Sequence, residues 1–256
     1  MRDKYKNYIF GISYLALNPR LLKLVGKVYL PTYIQYEWLN KYKLGTVVDV
    51  GAFRGDVSCS LHYLLPKVKI YAFEPLGKHL KILKSKISKE NLVAEALLVS
   101  DINGEVSFFE NEYAQASSLL SLTEKAKSER PFLANTKSRK VMSVTLDRYF
   151  ERKKLPGMIL LKVDAQGGEG RVIKGGRKFL KKVAFVHLET SFEPLYKGQL
   201  IFEDIKEMLD RLGFWYAGGV NDSDFYPRFG PKPRENSFFV NKRFVKGEDF
   251  YNGIEI

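Results

Sequence analysis

Five acidic residues, Asp49, Glu74, Asp101, Asp164 and Glu189, each stand near the end of a short apolar run or directly after it. Carboxylates in such places can hold ribose hydroxyls, accept from an exocyclic amine, or take a proton from a reacting group. The first of them leads the stretch Asp49-Val50-Gly51-Ala52-Phe53-Arg54-Gly55. Glycine lets the backbone come close to a ligand, and the start of a following helix offers free N–H groups. Only Gly51 and Gly55 are glycines there, so the spacing is not the G-x-G-x-x-G of a pyrophosphate loop. An acidic residue leading the bend better suits a cofactor with a positively charged amino-acid end.

Each carboxylate has a specific expected task and an ordinary alternative. Glu74 stands where a strand-end carboxylate would hold ribose hydroxyls. Asp101 either meets an adenine amino group or simply opens the turn Asp-Ile-Asn-Gly. Asp164 precedes Gln166 and the Gly167-Gly168 step, and is the first choice as general base; holding its own loop is the alternative. Glu189 is the second choice, as base or acceptor ligand, and Glu193 lies just beyond it. His187 shares Glu189's face of a strand and has a side chain suited to proton transfer, although a buried core histidine would read the same way. His62, His79 and His187 are scattered without ligand spacing, so no metal is expected.

The elements that must position these groups alternate. Strand-like runs lie at 46–50, 68–75, 91–100, 158–164 and 183–189, with helical stretches after most of them. A helix pattern at 201–213 ends on Gly213, and further strand-like runs follow at 214–217 and 237–240. Alternation of this kind predicts an α/β fold, a mostly parallel seven-stranded sheet with helices on both faces. Its ligand crevice lies beyond the carboxyl ends of the strands. A hairpin is expected within 104–110, and a separate strand-like run lies at 141–146. The roughly 30 residues between them show weak periodicity and read as a covering element or a solvated insertion.

The chain has 256 residues, 45% hydrophobic and 28% charged, which suits one large domain with additions. The single Cys59 excludes an internal disulfide and fits a reducing, cytoplasmic setting. No clean apolar span of membrane length occurs in 8–34, because Asn18, Pro19, Arg20, Lys23 and Lys27 interrupt it. The formal charge of +13 would attract phosphate, nucleic acid, acidic glycans or an anionic membrane surface. Within the first 44 residues Arg2, Lys4, Lys6, Arg20, Lys23, Lys27, Lys41 and Lys43 face only Asp3 and Glu37. A solvated lysine-rich surface explains this equally well, and peripheral membrane contact through basic N-terminal helices is the specific alternative.

The blocks TVVDVGAFRGDVS, AFEP, LVSDINGEVSFF, ASSLL, SVTLDRYF, LLKVDAQGGEGRVIKG, HLETSFEPLYKGQLIF and ENSFFVNK follow one another over about residues 46–241. In combination and order they resemble the FkbM family of methyltransferases. That resemblance implies a Rossmann-like class I methyltransferase fold over 45–256, with 1–44 as an N-terminal helical extension. It implies S-adenosyl-L-methionine as cofactor and O-methylation of sugars or natural products as the usual activity. Carried over, Asp49, Gly51 and Gly55 form the cofactor loop, Glu74 holds the ribose and Asp101 lies near adenine. Asp164, Gly167 and Glu169 match the family's Asp-x-x-Gly-x-Glu signature, and Glu189 its later glutamate. Two departures stand out. Ala165-Gln166-Gly167-Gly168 replaces the commoner Val-Glu-Gly-Ala or Val-Gln-Gly-Ala, and Asn236 stands where relatives carry an aspartate.

Gln166, Glu193, Ser118 and Asn236 are therefore the expected acceptor-side residues. Acceptor choice is expected to reside in loops 111–140, 190–199 and 220–235, for a small-molecule or glycan acceptor. Three rivals remain. A nicotinamide dehydrogenase conflicts with the glycine spacing. A nucleic-acid methyltransferase would use the basic surface, but no Asn/Asp-Pro-Pro-Tyr block follows the fourth strand. A catalytically silent binding protein would keep the fold and transfer nothing.

Overall fold

The computed structural model describes residues 18–220, 234–247 and 250. Ten strands are present: β1 (Leu44–Val50), β2 (Lys69–Phe73), β3 (Leu92–Glu95), β4 (Leu98–Val99), β5 (Gly104–Asn111), β6 (Thr136–Val144), β7 (Met158–Val163), β8 (Phe185–Ser191), β9 (Phe214–Val220) and β10 (Arg234–Asn241). Seven form one sheet in the order β3-β2-β1-β7-β8-β10-β9. Its first five strands run parallel, and β10 enters antiparallel to both β8 and β9.

Strand β1 shows why this sequence builds a central strand. Its last five residues, Thr46 to Val50, are all buried, as expected where helices cover both faces of a sheet. Successive side chains then feed two cores. Val47, Leu160, Phe185 and Phe238 pack on one face with the helices Asp56–Leu64 and Gly77–Lys86. Val48, Leu161, Val186 and Phe239 pack on the other with Glu169–Gly175, Arg177–Leu180 and Phe202–Asp210. The segment before β1 joins the first core through the fully buried Tyr36 and Leu39.

The third predicted strand is in fact two. β3 pairs with β2 in the large sheet, whereas β4 pairs with β6 in a separate sheet of order β4-β6-β5. Residues 91–100 are apolar throughout most of their length, so nothing local marks where the pairing partner changes. Residues 104–111 form the single strand β5 rather than a hairpin of their own. β5 pairs antiparallel with β6, which begins at Thr136, ahead of the strand-like run expected at 141–146.

The segment between β5 and β6 is a packed cap with its own small core of Ala116, Leu122, Ala126, Leu133 and Tyr196. Backbone bonds lock it from both sides. Phe109 and Ser118 exchange N–H···O bonds of 2.8 and 3.1 Å, and Thr123 N–H donates to Leu195 O at 2.9 Å. Of the two readings of this stretch, the covering element is the one found.

Candidate active site

A cavity of about 710 Å³ opens beyond the carboxyl ends of β1, β2, β7 and β8, roofed by the cap. That volume lies within the range of small-molecule and cofactor sites. Gly51, Glu74, Asp164, Gln166 and Glu189 all line it, together with Arg234. Apolar walls come from Phe73, Leu97, Leu98, Val99 and Phe108.

The bend after β1 is shaped by close packing. Gly51 has φ +72, and a Cβ there would overlap the carbonyl of Asp164. Phe53 also adopts positive φ, at 47°, which turns its N–H onto Glu74 Oε2 at 3.1 Å. Leu76 N–H donates to the other oxygen at 3.0 Å. Burial pushes the Glu74 carboxyl upward, and these two backbone bonds oppose it. His79 lies beside the pair, Nδ1 3.5 Å from Glu74 Oε1, its own pKa lowered by burial.

Beneath the bend stands Lys162, a residue not singled out from the sequence. Its Nζ lies 3.2 Å from Asp49 Oδ1, 3.2 Å from the Gly51 carbonyl and 3.9 Å from Asp164 Oδ2. Burial acts to lower its pKa, but Asp49, Asp164 and Glu189 outweigh that and raise it. The lysine therefore stays charged and ties the bend after β1 to the end of β7. One signal was available: a lysine inside the apolar run Leu160-Leu161-Lys162-Val163 is seldom buried without a partner.

The acidic end of the cavity is built by the loop after β7. Gln166, at φ +49, donates from Nε2 to Asp164 Oδ1 at 2.6 Å and to Glu189 Oε2 at 3.3 Å. Tyr196 in turn donates to Gln166 Oε1 at 3.2 Å. Glu189 is gripped by Arg234 Nη1, 3.0 Å from Oε1 and 3.1 Å from Oε2. Burial and the neighbouring Asp164 push Glu189 upward against that cation. Glu169, buried behind them, accepts from Ala165 N–H at 2.9 Å; burial and the two nearby carboxylates push it up to about 8. Asp164 remains 40% exposed on its side chain and faces the cavity.

Other expected site residues do not line the cavity. Asp49 is fully buried, its carboxylate taken by Ser58 Oγ at 2.6 Å and by Lys162. Gly55 starts the helix Asp56–Leu64 at φ 84, and a Cβ there would strike Leu83. Asp101 points outward to Arg171, 3.4 Å away, because the chain turns into β5 rather than back over the cavity. Glu193 is exposed and paired with Lys125 at 2.8 Å. Ser118 is buried and donates to the Gln166 carbonyl at 2.6 Å, so it holds the loop from behind. Asn236 pairs in register with Glu189 but does not reach the lining. His187 lies beneath the site, hydrogen-bonded to Tyr36 and stacked on Phe238 at 4.3 Å. Burial, aided by Lys162, pushes it down to about 3, which leaves a neutral core histidine. No cluster that could hold a metal ion occurs among the described residues.

Comparison with known proteins now decides the family. The FkbM methyltransferase domain model matches residues 49–216, well over half of the chain. This chain belongs to the FkbM methyltransferase family. A curated relative, the 2-O-methyltransferase NoeI of Sinorhizobium fredii, is 24% identical over 177 residues, covering 64% of this chain and 70% of that one. Solved structures align at lower similarity. A precorrin-6y C5,15-methyltransferase from Geobacter metallireducens aligns with a TM-score of 0.45 and 11% identity, over 82% of this chain and 88% of its own. The fibrillarin pre-rRNA processing protein of Methanococcus jannaschii aligns with a TM-score of 0.41 and 13% identity, over 78% and 67%. The sheet order with one antiparallel strand is the Rossmann-like arrangement expected for the FkbM chain. No helix among its described residues is long and apolar enough to cross a membrane.

Proposed function

We propose that this FkbM-family chain uses S-adenosylmethionine to methylate a hydroxyl of a sugar, glycan or natural-product-like small molecule. One observation carries the reading: Glu74 at one end and the Asp164–Gln166–Glu189 group at the other line a single cavity, with Gly51 among its lining residues. The fit to such a cofactor is chemical. Glu74 presents a fixed carboxylate for a ribose diol, and Leu97, Leu98, Val99 and Phe108 offer an apolar slot for a base.

When bound, the sulfonium cofactor supplies an activated methyl group. The chain's part is to align an acceptor oxygen with that methyl and to receive the hydroxyl proton as the new C–O bond forms and the C–S bond breaks, with the electron pair leaving on sulfur. Alignment alone lowers the barrier by several kcal/mol, about 7–11 in the best cases. Asp164 is the base. It faces the cavity and is oriented by the Gln166 amide, whereas Arg234 already occupies both oxygens of Glu189. Glu189 is then the acceptor-side ligand.

Two further features support a sugar-like acceptor. Tyr113 and Phe132 of the cap line the cavity while remaining 52% and 64% exposed, so their rings form a rim suited to the apolar face of a sugar. The relative NoeI is a 2-O-methyltransferase by name, which also favours transfer to oxygen.

The test is incubation of the purified chain with methyl-labelled S-adenosylmethionine and a cell extract. Label should enter a saccharide or small-molecule fraction, and Asp164→Asn should lower incorporation by about a hundredfold or more. Label appearing only in RNA, or in nothing, would overturn the reading.

A further inference from the structure

The segment before the sheet carries an unusual surface. Between Asp3 and Glu37 the sequence holds no acidic residue, while Lys4, Lys6, Arg20, Lys23 and Lys27 are all present. Within the short helix Pro19–Leu24, Leu21 and Leu24 turn inward at 3% and 5% exposure and join the core. Their neighbours Leu22, Val25 and Tyr29 turn outward at 59%, 55% and 53%, among the most exposed large apolar side chains described. Lys23 and Lys27 are exposed among them. Lys27 Nζ lies 5.9 Å from the centre of the Tyr63 ring, itself 36% exposed, so the patch extends onto the helix Asp56–Leu64.

This surface is held firmly. Cys59 Sγ lies 3.4 Å from the Lys27 carbonyl, and Lys27 and Val28 N–H both donate to Leu24 O, at 2.9 and 3.2 Å. Protruding aliphatic and aromatic side chains interleaved with lysines, and no carboxylate nearby in sequence, match one environment closely. The apolar tips suit the boundary of a bilayer, and the ammonium groups suit anionic headgroups above it. A second copy of the chain would bring cation against cation.

We propose that the surface formed by Leu22, Lys23, Val25, Lys27 and Tyr29 docks this protein on an anionic lipid bilayer. The contact is peripheral, places the folded domain at a membrane surface, and stands independently of what the cavity methylates.

Co-sedimentation of the full chain with sucrose-loaded vesicles tests this. Vesicles of phosphatidylcholine mixed with phosphatidylglycerol should pull the protein down at low salt, and pure phosphatidylcholine should not. Raising salt should release it. The double variant Lys23→Gln/Lys27→Gln should weaken partitioning about fivefold per lysine removed. Leu22→Asp/Val25→Asp should abolish it without lowering the melting temperature, because both side chains are solvent-facing. Absent binding to either vesicle, equal binding to both, or unchanged binding by these variants would overturn the proposal. Dimerisation through this patch, abolished by Leu22→Asp in light scattering, would overturn it as well.

Discussion

Lys162 and Asp49 form a buried ion pair, Nζ to Oδ1 at 3.2 Å, directly beneath the glycine bend that lines the cavity. The pair joins β7 to β1 across adjacent parallel strands, and the same ammonium holds the Gly51 carbonyl. Site geometry and fold stability are thus coupled at one side chain.

Replacing that cation should therefore cost stability before it costs chemistry. Lys162→Met leaves a fully buried Asp49 without its counter-charge, a situation that destabilises by about 3–5 kcal/mol. Urea denaturation with wild-type protein as reference measures it. A loss below about 1 kcal/mol would show that Ser58 alone satisfies the aspartate.

Glu169 gives a pH-dependent expectation. Its folded-state pKa is pushed from an ordinary 4.5 to about 8, so the folded protein holds a proton that the unfolded chain releases. Below about 4.5 both states are protonated and nothing is lost. As pH rises to about 8 the native state loses stability, on the order of a few kcal/mol. Glu169→Gln removes this dependence and should gain on wild type between pH 5 and 8.5. Denaturant midpoints at the two pH values check it, and parallel behaviour of the two proteins would refute the burial argument.

Two of the three base candidates separate by turnover. His187, neutral and beneath the site, should tolerate His187→Asn with less than about tenfold loss in kcat per folded molecule. Asp164→Asn should lose about a hundredfold or more. The reverse ranking would move the proton acceptor to the histidine.

Much of this was readable in the residues because it depends on local pattern. The run Thr46 to Val50 could only be a buried strand, and the two glycines after it could only be a tight bend. Glu74, Asp164 and Glu189 were readable for the same reason, since a parallel sheet brings its strand ends to one rim. What failed to show is what depends on partners distant in sequence. Asp101 and Glu193 sit in equally suggestive places, but Arg171 and Lys125 draw them outward. The partner change between β3 and β4, and the docking of the cap on Tyr196, are likewise tertiary choices without a local signature.

The central claim is that Glu74 holds the methyl donor in the same cavity that Asp164 faces. Calorimetric titration of wild type and Glu74→Ala with S-adenosylmethionine, each shown folded by circular dichroism, tests it directly. Loss of hydrogen bonds to a charged group should weaken affinity by about ten- to a hundredfold. Equal affinity in the two proteins would contradict the account.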